Sequence, residues 1–232
     1  MKLVADNIYQ IGLGPVNAFL LEHDGLTLID TGLPGKTDQV LSEIVKGGKD
    51  PSNIKRIILT HLHGDHTGNA AAIKKKLNVP VFAHRIDAEL IEKGISSRPM
   101  ILTPGLINWL LFHLVLSKNR TTLEPLAIEE PLEDNDIIPV AGGIQVIHTP
   151  GHSAGHIALL VKESGFLIAG DICSNVFGNL NYTPLYEDRS LGRESILKAA
   201  AFDFNKAVFG HGNPLLTNAN KQLHDHFLSE LK

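Results

Sequence analysis

One short polar stretch carries the side chains best suited to chemistry: T-H-L-H-G-D-H-T-G-N, residues 60–69. Three histidines and an aspartate lie within six residues, at His61, His63, Asp65 and His66. Because His61 and His63 are two residues apart, at the end of a strand they point the same way and can hold one ion. The glycine after His63 lets the backbone turn, so that Asp65 and His66 face a second ion. The stretch therefore predicts half of the ligands of a two-metal site.

Three further donors each follow an apolar run, where a strand is expected to end. They are His152 in T-P-G-H, Asp171 in A-G-D and His211 in G-H-G. If all these strands end at one edge of the sheets, the three donors meet the first four there. Asp171 suits a position between two ions, because a carboxylate has two oxygens. Taken alone, a histidine beside glycines such as His152 or His211 is more often a loop residue than a ligand. The presence of the other donors favours metal binding.

The elements that must position these donors follow from periodicity and turn residues. Strands are predicted at residues 3–11, 17–30, 55–60, 79–83, 143–149, 157–162, 166–169 and 206–209. Helices are predicted at 36–46, 69–77, 87–93, 106–116, 191–201 and 216–231, with an irregular loop at 172–189. Because the strands often pair as hairpins with helices outside, the pattern predicts an α/β sandwich of two packed sheets, not a doubly wound parallel sheet. Residues 94–130 break the rhythm and are predicted to be a helical insertion or lid, not part of a sheet.

Bulk composition limits the function classes. The 232 residues are 43% apolar and 20% charged, which predicts a sizeable folded core. A net charge of -4 gives no basic surplus for nucleic acid. Cys173 is the only cysteine, so neither a disulfide framework nor a cysteine-based zinc site is expected. The N-terminus lacks a signal-type apolar run, which favours a cytoplasmic location. The longest apolar run, 106–116, is shorter than the roughly 20 residues of a membrane span.

Taken in order, the motifs H-L-H-G-D-H, T-P-G-H, A-G-D and G-H-G resemble those of the metallo-β-lactamase-fold hydrolase superfamily. Asp30 in I-D-T-G matches that superfamily's first motif, and the resemblance covers about residues 5 to 212. It implies a four-layer αββα sandwich forming a single domain over residues 1–232, with the metals at one edge of the two sheets. It also implies the ligand sets: His61, His63 and His152 for the first ion, and Asp65, His66 and His211 for the second, with Asp171 bridging them.

Departures from known branches narrow the resemblance. The best-known zinc β-lactamases place cysteine at the position of Asp171, so antibiotic hydrolysis is not favoured. Flavin-linked diiron oxygen reductases carry glutamate where His63 stands, and tRNA-processing nucleases carry a basic arm that this sequence lacks. What remains is similar to glyoxalase-II-like thioesterases and quorum-quenching lactonases. Ser174 stands where the lactonases have a tyrosine, which leaves Tyr182 and Tyr186 as candidates to replace it.

The expected activity is hydrolysis of an ester, lactone or thioester of a small, lipophilic substrate. A hydroxide bridging two divalent ions would attack the carbonyl, since metal binding lowers the pKa of water to about 7. The ions are expected to be Zn²⁺, with iron or manganese as alternatives. Asp65 is the expected proton shuttle, and Asp30 is expected to orient a histidine ligand. His156 is expected to form hydrogen bonds beneath the site.

Two other activities use the same donors. A phosphodiesterase needs a basic phosphate clamp, for which only scattered candidates exist at Arg98, Arg120, Arg189 and Arg193. A non-haem iron sulfur dioxygenase of the same fold would be distinguished by iron and oxygen uptake.

The apolar helix at 106–116 has three open interpretations. With Trp109 and Phe112 it could cap a pocket for a lipophilic group, pack into the core, or form a homodimer contact.

Overall fold

A computed structural model describes residues 1–114 and 123–229. In chain order, its strands are β1 Lys2–Ala5, β2 Ile8–Gly12, β3 Asn17–Glu22, β4 Leu26–Ile29, β5 Ile54–Ile58, β6 Val81–His84, β7 Ile101–Leu102, β8 Glu130–Leu132, β9 Ile137–Ile138, β10 Ile144–His148, β11 Ile157–Val161, β12 Phe166–Ile168, β13 Ser174–Val176, β14 Asn179–Asn181, β15 Leu185–Tyr186 and β16 Lys206–Val208. The helices are α1 Thr37–Lys46, α2 Gly64–Thr67, α3 Ala70–Leu77, α4 Arg85–Ile91, α5 Leu106–Leu114, α6 Arg189–Ala200 and α7 Ala219–Ser229.

Two large mixed sheets form the centre of the molecule. The first has the strand order β1-β2-β3-β4-β5-β6-β8, antiparallel from β1 to β4 and parallel from β4 to β8. The second has the order β16-β12-β11-β10-β9, antiparallel except for the parallel pair of β12 and β16. Hairpins are therefore frequent, which confirms the prediction that this is not a doubly wound parallel sheet.

The strand residues alternate between two cores, as a period of two requires. In β3, Ala18 and Leu20 belong to the core beneath α1, α3 and α4, whereas Phe19 and Leu21 belong to the core between the sheets. A third core joins the outer face of the second sheet to α6 and α7. The order of layers is thus helix, sheet, sheet, helix, which confirms the predicted four-layer αββα sandwich.

The strands that precede the predicted donors end at one edge. β4, β5 and β6 are parallel. β10 and β12 are both antiparallel to β11, and β16 is parallel to β12, so these three strands also run in one direction. Backbone hydrogen bonds join the two sheets at this edge, from Ile157 N to Thr60 O (2.9 Å) and from Asn17 N to Gly210 O (2.8 Å). The donors of both sheets are therefore brought to a common location.

Two predictions about irregular segments were wrong in part. Within residues 94–130, β7 pairs with β15, so the segment contributes a strand to a small sheet. Residues 172–189, predicted to be an irregular loop, contain the β13–β14 hairpin as well as β15. Its turn has positive φ angles at Phe177 (54°) and Gly178 (79°). Phe-Gly is not a typical hairpin turn, since such turns usually carry Asn-Gly or Asp-Gly, so the hairpin was not predicted.

Several helices begin or end one to three residues away from the predicted positions; α4, for example, was predicted at 87–93 and spans Arg85–Ile91. The predicted helix 106–116 is present as α5, and residues 115 and 116 lie outside the described part of the chain. The closing helix α7 begins at Ala219 instead of residue 216, and residues 230 and 231 likewise lie outside it. In the described ranges, no helix combines the length and apolar character that crossing a membrane requires.

Candidate metal centre

The loop after β5 is fixed by a buried carboxylate at the end of β4. Asp30 accepts hydrogen bonds from Thr60 N and Thr60 Oγ1, both at 2.8 Å, and its Oδ2 lies 2.9 Å from His66 Nδ1. Its φ of 58° is a conformation that aspartate and asparagine tolerate better than most residues. Asp30 therefore contacts a histidine ring of the candidate site, as the sequence predicted.

All seven predicted donors come together at this edge. Their ligand atoms form three groups whose members lie within 4.8 Å of one another: His61 with His63 and His152, His61 with His66 and Asp171, and Asp65 with His66 and His211. The Asp171 carboxylate lies between the groups. Its Oδ2 is 3.5 Å from His152 Nε2 and 3.1 Å from His211 Nε2, and its Oδ1 is 3.6 Å from His66 Nε2.

Four of the histidine rings share one arrangement, in which Nδ1 contacts a protein oxygen. The contacts are His61 to Thr60 Oγ1 (3.0 Å), His66 to Asp30 Oδ2 (2.9 Å), His152 to Leu185 O (2.9 Å) and Thr183 Oγ1 (3.0 Å), and His211 to Pro15 O (2.8 Å). Such contacts fix the ring orientation and leave Nε2 for a ligand. His63 differs, because its Nδ1 lies 2.9 Å from His152 Nε2.

Buried atoms without partners test whether these residues suit a metal. In the described part of the chain, Nε2 of His61, His63 and His66 and Oδ1 of Asp171 have no hydrogen-bond partner. Buried polar atoms of this kind are rare and need an explanation. Imidazole nitrogens and carboxylate oxygens are ligands of zinc and of related divalent metals. The donor set therefore fits divalent cations.

The electrostatics divide the cluster into two halves. Burial lowers the pKa of His61 and His152 well below the usual histidine value, and neighbouring histidines lower it further. Burial alone would also lower the pKa of His66, but nearby carboxylates, Asp171 foremost, raise it to about 9. The same carboxylate raises the pKa of His211 well above its usual value against the effect of burial. One half thus offers neutral rings, which metals require, and the other attracts positive charge.

Close packing beneath Asp171 requires two glycines. His156 Nε2 accepts a hydrogen bond from Asp171 N (2.9 Å), so His156 lies beneath the site as predicted. A Cβ on Gly170 would lie 2.6 Å from His156 Nε2, and one on Gly210 would lie 2.1 Å from Asp171 Oδ1. The glycines of the A-G-D and G-H-G motifs therefore leave the space that this arrangement needs.

The two candidate tyrosines have structural contacts. Tyr186 is fully buried, and its hydroxyl donates to Ile172 O (2.7 Å) and accepts from Thr183 N (3.3 Å). Its ring meets that of His152 edge-on, with the centroids 5.6 Å apart. The Tyr182 ring packs against Phe227. Tyr186 thus supports a histidine of the cluster, with both hydrogen-bonding roles of its hydroxyl already filled.

Two carboxylates that were not predicted from the sequence hold the donor loops. Asp87 and Glu187 accept hydrogen bonds from the loop around His152. The one available signal was that Asp87 closely follows β6, which is parallel to β5 and ends at the same edge.

The chain is similar to known proteins in sequence and in fold. The sequence profile described as the metallo-beta-lactamase superfamily matches residues 11–211. A "Probable metallo-hydrolase YflN" of Bacillus subtilis (strain 168) is 28% identical over 207 residues, which covers 84% of this chain and 78% of that protein. An "N-acyl homoserine lactonase" of Bacillus sp. is 26% identical over 172 residues, covering 64% of this chain and 58% of the lactonase.

Two other similarities extend the comparison. An "Atrochrysone carboxyl ACP thioesterase dmxR1" of Cryptosporiopsis sp. (strain 8999) is 25% identical over 188 residues, covering 80% of this chain but only 45% of the thioesterase. The structure of the class B3 di-zinc metallo-beta-lactamase LRA-12, from an Alaskan soil metagenome, superposes with a TM-score of 0.72 at 21% identity, covering 99% of this chain and 90% of that one. At this identity, the superposition shows the fold alone. Because the family profile spans most of its length, the chain belongs to the metallo-β-lactamase superfamily of hydrolases.

Proposed function

We propose that this chain hydrolyses the carbonyl group of a small lactone, thioester or ester, with two zinc ions held at the cluster. One observation carries the proposal: seven donors from two sheets converge, and four of their buried atoms lack any other partner in the described residues. The similarity to a lactonase and a thioesterase supports a carbonyl substrate.

The three groups of donors suggest how two ions would be held. We assign His61, His63 and His152 to the first ion and Asp65, His66 and His211 to the second, with Asp171 shared between them. When bound, two such cations supply a water molecule that ionises near neutral pH and a Lewis acid for the carbonyl oxygen. Iron and manganese accept the same nitrogen and oxygen ligands, and zinc is proposed because imidazole nitrogens and carboxylate oxygens are its common ligands.

Asp65 is the group to which we assign proton transfer. Its side chain is 34% exposed, whereas that of Asp171 beside it is only 4% exposed. Burial would raise the pKa of Asp65, but His66 and His211 hold it below its usual value, so that Asp65 is ionised at neutral pH. Its Oδ2 lies 3.4 Å from His211 Nε2. An ionised, accessible carboxylate in this position can take a proton from the attacking water and return it to the leaving group.

The arginine contacts favour a carbonyl over a phosphodiester. Arg98 forms ion pairs with Asp87 (2.7 Å) and Glu187 (3.3 Å). Arg193 donates to a backbone carbonyl of α7, and the Arg189 guanidinium lies 5.7 Å from the centroid of the Tyr182 ring. Each of these candidates for a phosphate clamp already has a protein partner, and Arg120 lies outside the described residues.

We assign α5 to the lipophilic part of the substrate. Leu106 and Ile107 are 73% and 80% exposed, so these side chains do not pack into the core. The strand before α5 pairs with β15, whose Leu185 O contacts His152 Nδ1 at 2.9 Å. The base of the helix is therefore attached to the element that supports His152. A homodimer through 106–116 remains the alternative use of this surface, and both the lid and the cytoplasmic location stay predictions.

The test is metal quantification alongside a panel of substrates. Protein loaded with zinc near neutral pH is expected to hold two ions per chain and to hydrolyse lactones or thioesters in preference to bis(p-nitrophenyl) phosphate. A His63→Ala variant, prepared identically, controls for contaminating hydrolases and should be inactive. Preference for the phosphodiester, or oxygen uptake with a persulfide by the iron-loaded protein, would overturn the proposal.

The assignment of α5 is tested separately. Trp109→Ser is expected to raise KM for substrates with long acyl chains while metal content and kcat for a short-chain substrate stay unchanged. Equal effects on short and long substrates would remove α5 from the binding site, and a variant that shifts a dimer to monomer would assign the surface to the homodimer.

A further inference from the structure

A buried carboxylate outside the donor set connects the two loops that carry the first-ion donors. Asp87 lies on α4 and is fully buried. Its Oδ2 accepts hydrogen bonds from Leu62 N (3.0 Å) and Ser153 Oγ (2.6 Å), and its Oδ1 accepts from Gly155 N (3.0 Å) and Arg98 NH1 (2.7 Å). Both oxygens of one side chain are thus fully used.

The positions of these contacts relate Asp87 to the first ion. Leu62 stands between His61 and His63, in the loop that follows the first sheet's β5. Ser153 directly follows His152, in the loop that follows the second sheet's β10. The three donors of this group therefore come from two sheets, and Asp87 hydrogen-bonds to both of their loops. The rings facing each other across the gap are close, with 2.9 Å between His63 Nδ1 and His152 Nε2.

The loop that carries His152 lies so close to Asp87 that position 155 requires a glycine. A Cβ on Gly155 would lie 2.6 Å from the Asp87 side chain and from its backbone nitrogen. Since no residue with a Cβ fits without displacement, the loop carrying His152 is packed directly against α4. The spacing between the loops is therefore set by contact with the carboxylate as well as by hydrogen bonds.

Arg98 supplies the countercharge that a buried carboxylate requires. Besides Asp87, it contacts Glu187 Oε1 (3.3 Å) and donates to Ile86 O (2.7 Å). Glu187 Oε2 in turn accepts from Ala154 N (2.9 Å), between the two loop residues that contact Asp87. Arg98 precedes β7 and α5 in the chain, so the network also attaches the start of the 94–130 segment to the metal loops.

We propose that Asp87, neutralised by Arg98, is a positioning residue that sets the distance between His63 and His152 and so determines the affinity for the first ion. This inference rests on the proposed two-metal site. The second group, Asp65, His66 and His211, contains no residue from the 152–155 loop, so its affinity is expected to depend much less on Asp87 than that of the first group.

The variant Asp87→Asn separates this role from a general structural one. Asparagine has the same shape but offers one acceptor oxygen and an NH₂ group. In either orientation, the NH₂ faces at least one group that can only donate: Leu62 N on one side, or Gly155 N and Arg98 on the other. We expect binding of the first ion to weaken by about 10- to 100-fold, the range for residues that orient metal ligands. Binding of the second ion should change by less than about threefold.

The two ions are distinguished in single-site backgrounds. In His211→Ala protein, the remaining zinc is held by the first group, and chelator competition should show the full loss on adding Asp87→Asn. In His63→Ala protein, the remaining zinc is held by the second group and should show no loss. Ile44→Ala, buried on α1 within the core beneath that helix, is the control. It lowers the thermal stability of the metal-free protein but should leave both affinities unchanged.

Conservative changes test the role of Arg98. Arg98→Met should weaken binding of the first ion as Asp87→Asn does. Arg98→Lys should keep part of the affinity for that ion, because lysine retains the positive charge. Equal weakening of both ions by Asp87→Asn, or unchanged affinity with a lower melting temperature, would show a merely structural role and leave the proposed function standing. A wild-type chain that binds no zinc in the same assay would overturn both proposals.

Discussion

Replacing Asp30 by asparagine should weaken binding of the second ion, because Asp30 contacts the ring of His66, one of the proposed ligands. The wild-type carboxylate receives Thr60 N–H and Thr60 O–H, and its Oδ2 lies 2.9 Å from His66 Nδ1. When the His66 ring is neutral and donates Nδ1–H to Asp30, Nε2 carries the lone pair, and that atom has no partner in the described residues. The interaction therefore prepares the form of the ring that binds a metal.

Asparagine reverses this preparation without changing shape or backbone strain. It tolerates the positive φ of Asp30 as well as aspartate does. If its oxygen keeps the bond from Thr60 N, its NH₂ group faces His66 Nδ1. His66 then accepts at Nδ1 and carries its proton on Nε2, where the ion is expected. Metal binding must first undo this arrangement.

The magnitude follows from the bonds lost. One charge-assisted buried hydrogen bond contributes about 1.5–3 kcal/mol. Loss of a group that orients a metal ligand costs about 10- to 100-fold in affinity, which is about 1.4–2.7 kcal/mol. At about 2–4 °C per kcal/mol for a chain of this length, a loss of about 2 kcal/mol lowers the melting temperature of the metal-free protein by about 4–8 °C. Because Asp30 is one of the carboxylates that raise the pKa of His66 to about 9, that pKa should also fall.

Three measurements check this prediction: zinc affinity by chelator competition, thermal unfolding of the metal-free protein, and NMR titration of the His66 ring. Thr31→Val is the matched control, because the Thr31 hydroxyl contacts the backbone oxygen of His66 (2.9 Å) and not its ring. It should destabilise the protein without changing zinc affinity. Wild-type affinity for both ions in Asp30→Asn would refute the reasoning, even if that variant melts earlier.

Asp171→Ala is expected to reduce the number of ions bound per chain and to lower kcat by at least about 10³-fold. Asp225→Ala, on the exposed side of α7, is the control and should change neither quantity. Full activity of Asp171→Ala would show that Asp171 is not part of the site. Tyr186→Phe should lower the free energy of unfolding by about 1–2 kcal/mol and leave kcat within about threefold, because the Tyr186 hydroxyl forms hydrogen bonds with the backbone. A hundredfold loss of kcat at full metal content would contradict this. Burial, with a smaller effect of His148, lowers the pKa of His84 to about 4, so the metal-free protein should lose stability as pH falls from about 6.5 to about 4, where the unfolded chain binds the proton first. His84→Asn, which keeps an acceptor at the start of α4, should flatten that part of the stability–pH curve measured by urea unfolding.

The elements predicted correctly are those whose local sequence pattern matches the structure they adopt in the fold. Most helices and the β11–β12 hairpin follow from apolar periodicity and turn residues, and β10 to β12 begin and end close to the predicted residues. Residues 3–11, predicted to be one strand, instead form the hairpin of β1 and β2. The β13–β14 hairpin escaped prediction because Phe177 adopts a positive φ that its side chain does not favour. The pairing of β7 with β15 joins segments about 80 residues apart, with two residues on each side, which is too short for a period to be recognised.

By itself, the sequence determined which side chains could hold metal ions. His61, His63, Asp65 and His66 are close in the chain, and an apolar run precedes each of the other three donors, so residue type and local order carry the information. The tertiary structure alone decided which donors face one another and what holds them. His63 and His152, 89 residues apart, are brought within 2.9 Å by two sheets whose packing is not encoded near either residue. Pro15 and Leu185 orient histidine rings through backbone carbonyls, which every residue type possesses, and such contacts leave no signature in the sequence.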